Sequence, residues 1–230
     1  YFELGKGSHW PVFVFTHGVS VPNPRKPAPV LGQTAITESE LPFLGSLAAQ
    51  RGAHMVPSFH VNLLRGVATY WWELFRAVPD LDVVYVPIGQ GSGACSAIAA
   101  KRALGRDVRI VGVVSSHATT YADSLAAGRV VEAPVTTLLA DGMACRVADA
   151  EALEILQGRI DHIVQVSDAE VAEAMRTLFA CTHNVAEGAG AAAWAAAWQE
   201  RDQLRGQTVG LAMSGGNVDS ATLVDVLRNQ

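Results

Sequence analysis

From about Leu41 to the C-terminus, two spacings of apolar residues alternate along the chain. Over Leu41–Gln50, Asn62–Ala77, Ser92–Leu104, Ala148–Leu156, Asp168–Cys181, Gly190–Arg201 and Val218–Arg228 the apolar positions recur every three to four residues, which predicts amphipathic helices. Between them lie short β-branched runs at His54–Val56, Asp82–Val86, Val108–Val114, His162–Val166 and Thr208–Met213. These runs carry few polar positions, so both of their faces are buried, as in parallel strands covered by helices. The alternation predicts an α/β fold: a doubly wound, mostly parallel open sheet with helices on both faces.

The first forty residues break the pattern. Pro11–Phe15 predicts a strand, but Val21–Pro29 holds four prolines in nine positions and predicts an irregular loop or linker. Residues 1–60 therefore read as a partial or irregular segment, and residues 61–230 as the large domain. No internal repeat is present.

Composition narrows the class. Half of the 230 residues are apolar, enough for a sizeable core. Seventeen basic residues against 22 acidic ones give a formal charge of −5, which argues against nucleic acid or an anionic membrane as the main partner. No apolar run approaches the ~20 residues that span a bilayer. The N-terminal Tyr1–Lys6 lacks the basic-then-apolar order of a signal peptide. Three scattered cysteines, Cys95, Cys145 and Cys181, read as buried thiols in a reducing compartment, so the expected location is cytoplasmic. The histidines show neither HxxxH nor HExxH spacing, and no metal site is expected.

The most informative segment is Val83–Cys95, in which a buried strand runs into Gly89-Gln90-Gly91-Ser92-Gly93 and then into helix-forming residues. Glycines here let the backbone approach a ligand, and the unsatisfied N–H groups of the new helix favour an anion, a phosphate above all. The spacing is neither the GxGxxG of dinucleotide folds nor a P-loop, so NAD and ATP are disfavoured. The competing reading is a tight strand–helix turn without a ligand. A second loop, Ser214-Gly215-Gly216-Asn217, again carries strand into helix at the sheet edge where ligands of open α/β folds bind. Asp219 just beyond it reads as a helix N-cap.

Together these loops resemble the pyridoxal-phosphate enzymes of the tryptophan-synthase-β type (fold type II), closest to the threonine/serine dehydratases. The resemblance runs from about Arg51 to the C-terminus. It is carried by Arg51–His60, the Gly89–Gly93 loop, Ala140-Asp141-Gly142-Met143-Ala144, Glu187-Gly188-Ala189-Gly190-Ala191 and Ser214–Asn217. It implies that pyridoxal 5'-phosphate is the cofactor and residues 61–230 its binding domain, with residues 1–60 a remnant of a smaller α/β domain. It further implies that Gly89, Gln90, Gly91, Ser92 and Gly93 hold the cofactor phosphate, and that Ser214 sits against the pyridine nitrogen. Glu187 would match a carboxylate near the ring, or else be a plain first-turn helix acid. The implied reaction is loss of water, then ammonia, from L-threonine or L-serine to give a 2-oxo acid. The implied assembly is a homodimer or homotetramer, with a small amino acid as the only other partner. A threonine synthase, a cysteine synthase and a non-catalytic cofactor-binding homologue are the alternatives.

One family mark is missing. The lysine that carries the cofactor lies in a Ser-x-Lys-x-Arg-Gly segment, and neither that segment nor the later Ser/Thr-x-Gly-Asn-His loop is found here. The chain's lysines are Lys6, Lys26 and Lys101, and none stands in such a context, so the catalytic residue is unassigned. An N-terminal region outside the sequence, a replaced segment 1–40, or a non-catalytic protein would each account for this. The first is the expectation.

Asp141-Gly142 reads as a turn; the upstream position where some relatives hold a cation through glutamate is Thr137 here. His183 reads as a helix C-cap. Of Trp71 and Trp72, one is expected in the core and one at a subunit contact, while Trp194 and Trp198 predict a buried stripe. Ser115-Ser116-His117 is no nucleophile elbow.

Overall fold

The computed structural model describes residues 58–228, the backbone of Val12–Thr16, and Ser46 and Gln50. The chain divides into two compact units, Tyr1–Gly18 with Phe59–Gln230, and Val19–Ser58. Of the second unit, Ser46 and Gln50 are helical and one turn apart, with Gln50 Nε2 donating to Ser46 Oγ at 3.3 Å. The remainder of the helix expected at Leu41–Gln50, the strand His54–Val56, the proline-rich loop, Lys6 and Lys26 lie outside the described residues.

Unit 1 is built on five parallel strands in the order β1-β5-β2-β3-β4: β1 Val12–Thr16, β2 Val83–Pro87, β3 Arg109–Ser115, β4 Ile163–Val166 and β5 Val209–Met213. Seven helices of the described residues connect and cover them: α1 Val61–Ala77, α2 Ser92–Leu104, α3 Thr120–Ala127, α4 Ala150–Leu156, α5 Asp168–Thr182, α6 Gly188–Gln199 and α7 Ser220–Arg228. Successive residues of each strand point to opposite faces. Val83, Tyr85, Val111, Val113, Val164 and Val166 pack with α5 and α6 in one core. Val84, Val86, Ile110 and Val114 pack with α1, α2 and α4 in the other. This two-sided burial is why the strands read as unbroken apolar runs, and the expected doubly wound α/β class is correct.

The order places the topological switch between β2 and β5, the crevice where open α/β sheets bind ligands. The two strands pair in parallel with Val83 opposite Val209 and Tyr85 opposite Leu211. Continuing that register sets Ser214 level with Ile88, so the loops that follow both strands emerge side by side.

Three expectations need correction. Helix α3 was not predicted, because its buried face is Thr120, Tyr121 and Ser124, so hydroxyl groups stand where apolar periodicity is sought. The tryptophans of α6 are not a buried stripe. The alanines form the buried face, while Trp198 is 51 % exposed and Trp194 half-buried, their rings stacked at 6.2 Å. Only methyl groups fit the close approach of this helix to the sheet, so the indoles are left on the outer side, where Arg201 caps Trp198. Finally, α6 begins at Gly188, two residues before the predicted start, because Glu187 is its N-cap. Trp71 is buried in the core, as expected for one of the pair, and Trp72 is exposed.

Helix ends follow local chemistry. Ser167 and Glu170 form a capping box at the start of α5, and His183 ends that helix with φ +57°. No helix of the described residues is long and apolar enough to cross a membrane.

Candidate functional site

Strand β2 delivers the chain into Ile88–Gly91, and α2 then starts at Ser92. Gly91 is the N-cap with φ +91°, a left-handed conformation that glycine adopts without strain. Gly89 has no room for a side chain, since a Cβ would overlap the carbonyl oxygen of Gly142. Three of the loop's carbonyls are occupied: Gln90 accepts from the Tyr121 hydroxyl at 2.8 Å, Gly91 from the Cys95 amide at 2.9 Å and Gly93 from Trp71 Nε1 at 2.9 Å. The amides of Gly89, Gln90, Gly91, Ser92 and Gly93, by contrast, have no hydrogen-bond partner among the described residues. Donors without acceptors at the positive end of a helix form an anion site.

The opposite wall comes from three other segments locked together by close backbone contacts. The 3₁₀ turn Asp141–Met143 brings Gly142 against Gly89. The start of α6 lies so near its neighbours that a Cβ at Gly188 would overlap the Leu139 carbonyl, and one at Gly190 the Gly215 carbonyl. The loop after β5 is fixed by the Glu187 amide, which donates to the Gly215 carbonyl at 3.0 Å. Glu187 does not cap its own helix through its side chain; its Oε2 accepts from the Asn217 amide at 3.1 Å. Glu187 is thus the residue just before the first turn of α6, with its carboxylate turned to the Asn217 amide.

These walls enclose a cavity of about 270 Å³ whose lining includes Gly89, Gln90, Gly91, Ser92, Gly93, Glu187 and Ser214. All seven residues singled out from the sequence therefore face one space. Gly142 and Ala189, which stand in segments that carry the family resemblance, also line it, as do Val67 and Tyr70 of α1, which were missed. The i, i+3 spacing of Val67 and Tyr70 puts them on one helix face, but nothing in the sequence says that this face meets the glycine loop.

Among the described residues that line the cavity none has a cationic side chain, so they offer an anion backbone amides and neutral side-chain donors such as the Ser92 hydroxyl. Burial, followed by the nearby Asp141 carboxylate, raises the Glu187 carboxyl above the usual glutamate range, and the Asn217 amide opposes this only in part. Burial likewise pushes the Tyr70 phenol up. The unpartnered amides suit an anion such as a phosphate monoester, and Glu187 and Ser214 line the same cavity.

The other candidates lie elsewhere. Lys101 is in the last turn of α2, half-buried and away from the cavity. The Thr137 hydroxyl donates to Asp168 at 2.6 Å, tying the loop before Asp141 to α5. Ser115 Oγ accepts from the His117 amide at 3.1 Å in a local turn. The thiols of Cys95 and Cys145 are buried, and burial pushes the first up to about 12.

Residues 32–215 match the family model described as pyridoxal-phosphate dependent enzyme. An L-threonine ammonia-lyase of Geobacter sulfurreducens is 36 % identical over 176 residues, 76 % of this chain and 44 % of that protein. An L-threo-3-hydroxyaspartate ammonia-lyase of Pseudomonas sp. is 31 % identical over 202 residues, 87 % of this chain and 63 % of the relative. Among solved structures, a T.th. threonine deaminase superposes with a TM-score of 0.72 at 30 % identity, covering 78 % of this chain and 62 % of that one. The chain spans about half the length of the named relatives it matches.

Proposed function

The chain belongs to the family of pyridoxal-phosphate-dependent enzymes, and from that premise we propose that it binds pyridoxal 5'-phosphate in the cavity between β2 and β5 and removes water, then ammonia, from a hydroxy amino acid, L-threonine or L-serine, to give a 2-oxo acid. The observation that carries this reading is that Gly89–Gly93, whose amides have no partner among the described residues, and Ser214 line one cavity. The amides of Gly89–Gly93 hold the phosphate, with the dipole of α2 behind them. Ser214 hydrogen-bonds the ring nitrogen. As a neutral group, its hydroxyl does not hold a proton on that nitrogen as a carboxylate would, which suits elimination at the β-carbon. Glu187, braced by Asn217, stands at the ring end and keeps the Ser214 loop in place. The bound cofactor supplies the electron sink for the substrate's α-carbon.

A second reading has its own support: the described residues include a single lysine, Lys101, and it does not line the cavity. Without a lysine to carry the cofactor, the chain would bind it and do no chemistry.

One experiment separates the two. The full chain is incubated with pyridoxal phosphate and L-threonine, L-serine or 3-hydroxyaspartate, and release of 2-oxo acid is followed. Borohydride treatment and peptide mapping then locate any lysine bound to the cofactor. Turnover with one trapped lysine supports the dehydratase. Cofactor binding without either supports the binding homologue, and failure to bind the cofactor removes both.

A further inference from the structure

The hydroxyl of Tyr121, on the buried face of α3, lies between backbone groups of two different loops. It accepts from the Asp149 amide at 3.1 Å and donates to the Gln90 carbonyl at 2.8 Å. The direction of both bonds is forced, because an amide N–H can only donate and the phenol has one proton to give. Burial raises the phenol above its usual range, so that proton is retained at ordinary pH. In a planar trans peptide the carbonyl and the next N–H point in opposite directions. Pinning the Gln90 carbonyl to Tyr121 therefore also fixes the direction of the Gly91 N–H.

That peptide can flip at low cost. Gly91 sits at φ +91°, and glycine populates both signs of φ. A flipped Gln90–Gly91 peptide would offer an anion a carbonyl lone pair in place of a donor. We propose that Tyr121 is a positioning residue for anion binding: its hydroxyl keeps the Gln90 carbonyl turned away and the Gly91 amide turned toward the cavity, so that the glycine loop accepts a phosphate monoester. The inference rests on reading this cavity as the pyridoxal phosphate site, and the test keeps the two apart.

The full chain is titrated with inorganic phosphate, pyridoxal phosphate and pyridoxal, as wild type, Tyr121→Phe and Tyr85→Phe. Tyr85 is the control: it is a buried tyrosine outside the cavity, whose hydroxyl donates to Glu200 at 2.5 Å. One lost hydrogen bond predicts about three- to tenfold weaker binding of phosphate and pyridoxal phosphate to Tyr121→Phe, with pyridoxal unaffected. Tyr85→Phe is expected to bind all three as wild type does. Equal phosphate affinity in Tyr121→Phe and wild type, or a parallel loss for pyridoxal, overturns the inference alone. If wild type binds neither phosphate compound, the reading of the cavity falls and the inference with it. Should Tyr121→Phe fail to fold, ¹⁵N-labelled wild type decides: the Gly91 amide proton moves downfield as phosphate is added, and an unmoved Gly91 signal contradicts the proposal.

Discussion

Glu187 and Gly215 hold the ring end of the cavity as a pair: the Glu187 amide donates to the Gly215 carbonyl at 3.0 Å, and the Glu187 carboxylate fills the space where a Gly215 side chain would stand. The first contact fixes the loop after β5, and the second means that a side chain at position 215 would have to push the Glu187 carboxylate away from the Asn217 amide. Gly215→Ala should therefore destabilise the chain by about 1–3 kcal/mol through overpacking, measured by urea unfolding. Adding Glu187→Ala should return most of that loss, because the overlap is with its side chain. Additive losses in the double variant would contradict the pairing.

Two other glycines should respond in opposite ways. Gly66 is exposed inside α1 with open space around its Cβ position, so Gly66→Ala should stabilise by about 0.5–1 kcal/mol. Gly89 faces the backbone of Gly142, which cannot move aside as a side chain can, so Gly89→Ala should lower both the unfolding midpoint and phosphate affinity. Thermal unfolding and a phosphate titration of the two variants check this contrast.

The Glu187 carboxyl is raised by burial and by Asp141, so the folded chain holds its proton more tightly than the unfolded chain does. Stability should then fall as pH rises from the ordinary carboxylate range, about 4, through the raised value. Glu187→Gln keeps an oxygen for the Asn217 amide and removes the titration. Its stability relative to wild type should increase across that interval, as read from unfolding midpoints between pH 4 and 7.

His162 acts in the same sense, because its folded pKa is raised as well. Burial lowers its pKa, but hydrogen bonds to Asp161 at 2.8 Å and Glu200 at 2.9 Å outweigh that and raise it. The stabilisation is complete below the unfolded value, about 6.5, and is lost as pH rises through the folded one. The cost of His162→Gln should be largest near pH 6 and shrink toward pH 9. A cost independent of pH would contradict the ion pairs.

The sheet was legible because parallel strands buried on both faces leave an unbroken apolar signature, as Val83–Val86 and Val111–Val114 do. The phosphate loop was legible because a strand, alternating glycines and a helix follow one another directly. Helix α3 was not, since Thr120, Tyr121 and Ser124 bury hydroxyl groups that satisfy backbone partners, and a polar inward face has no hydrophobic period. Tyr70 and Val67 were missed for another reason. Their place in the cavity depends on the docking of α1 against α2, a tertiary fact with no local trace. The tryptophans of α6 ran against expectation because their four-residue spacing predicts a shared buried face, whereas the buried face of that helix is alanine and glycine.

The central claim is that the amides of Gly89–Gly93 grip a phosphate while Ser214 meets the attached ring. A crystal structure of the full chain with pyridoxal phosphate tests it most directly. The account predicts phosphate oxygens within about 2.7–3.2 Å of those amides and Ser214 Oγ at the pyridine nitrogen. A phosphate bound away from the loop, or a ring that leaves Ser214 without contact, would contradict it.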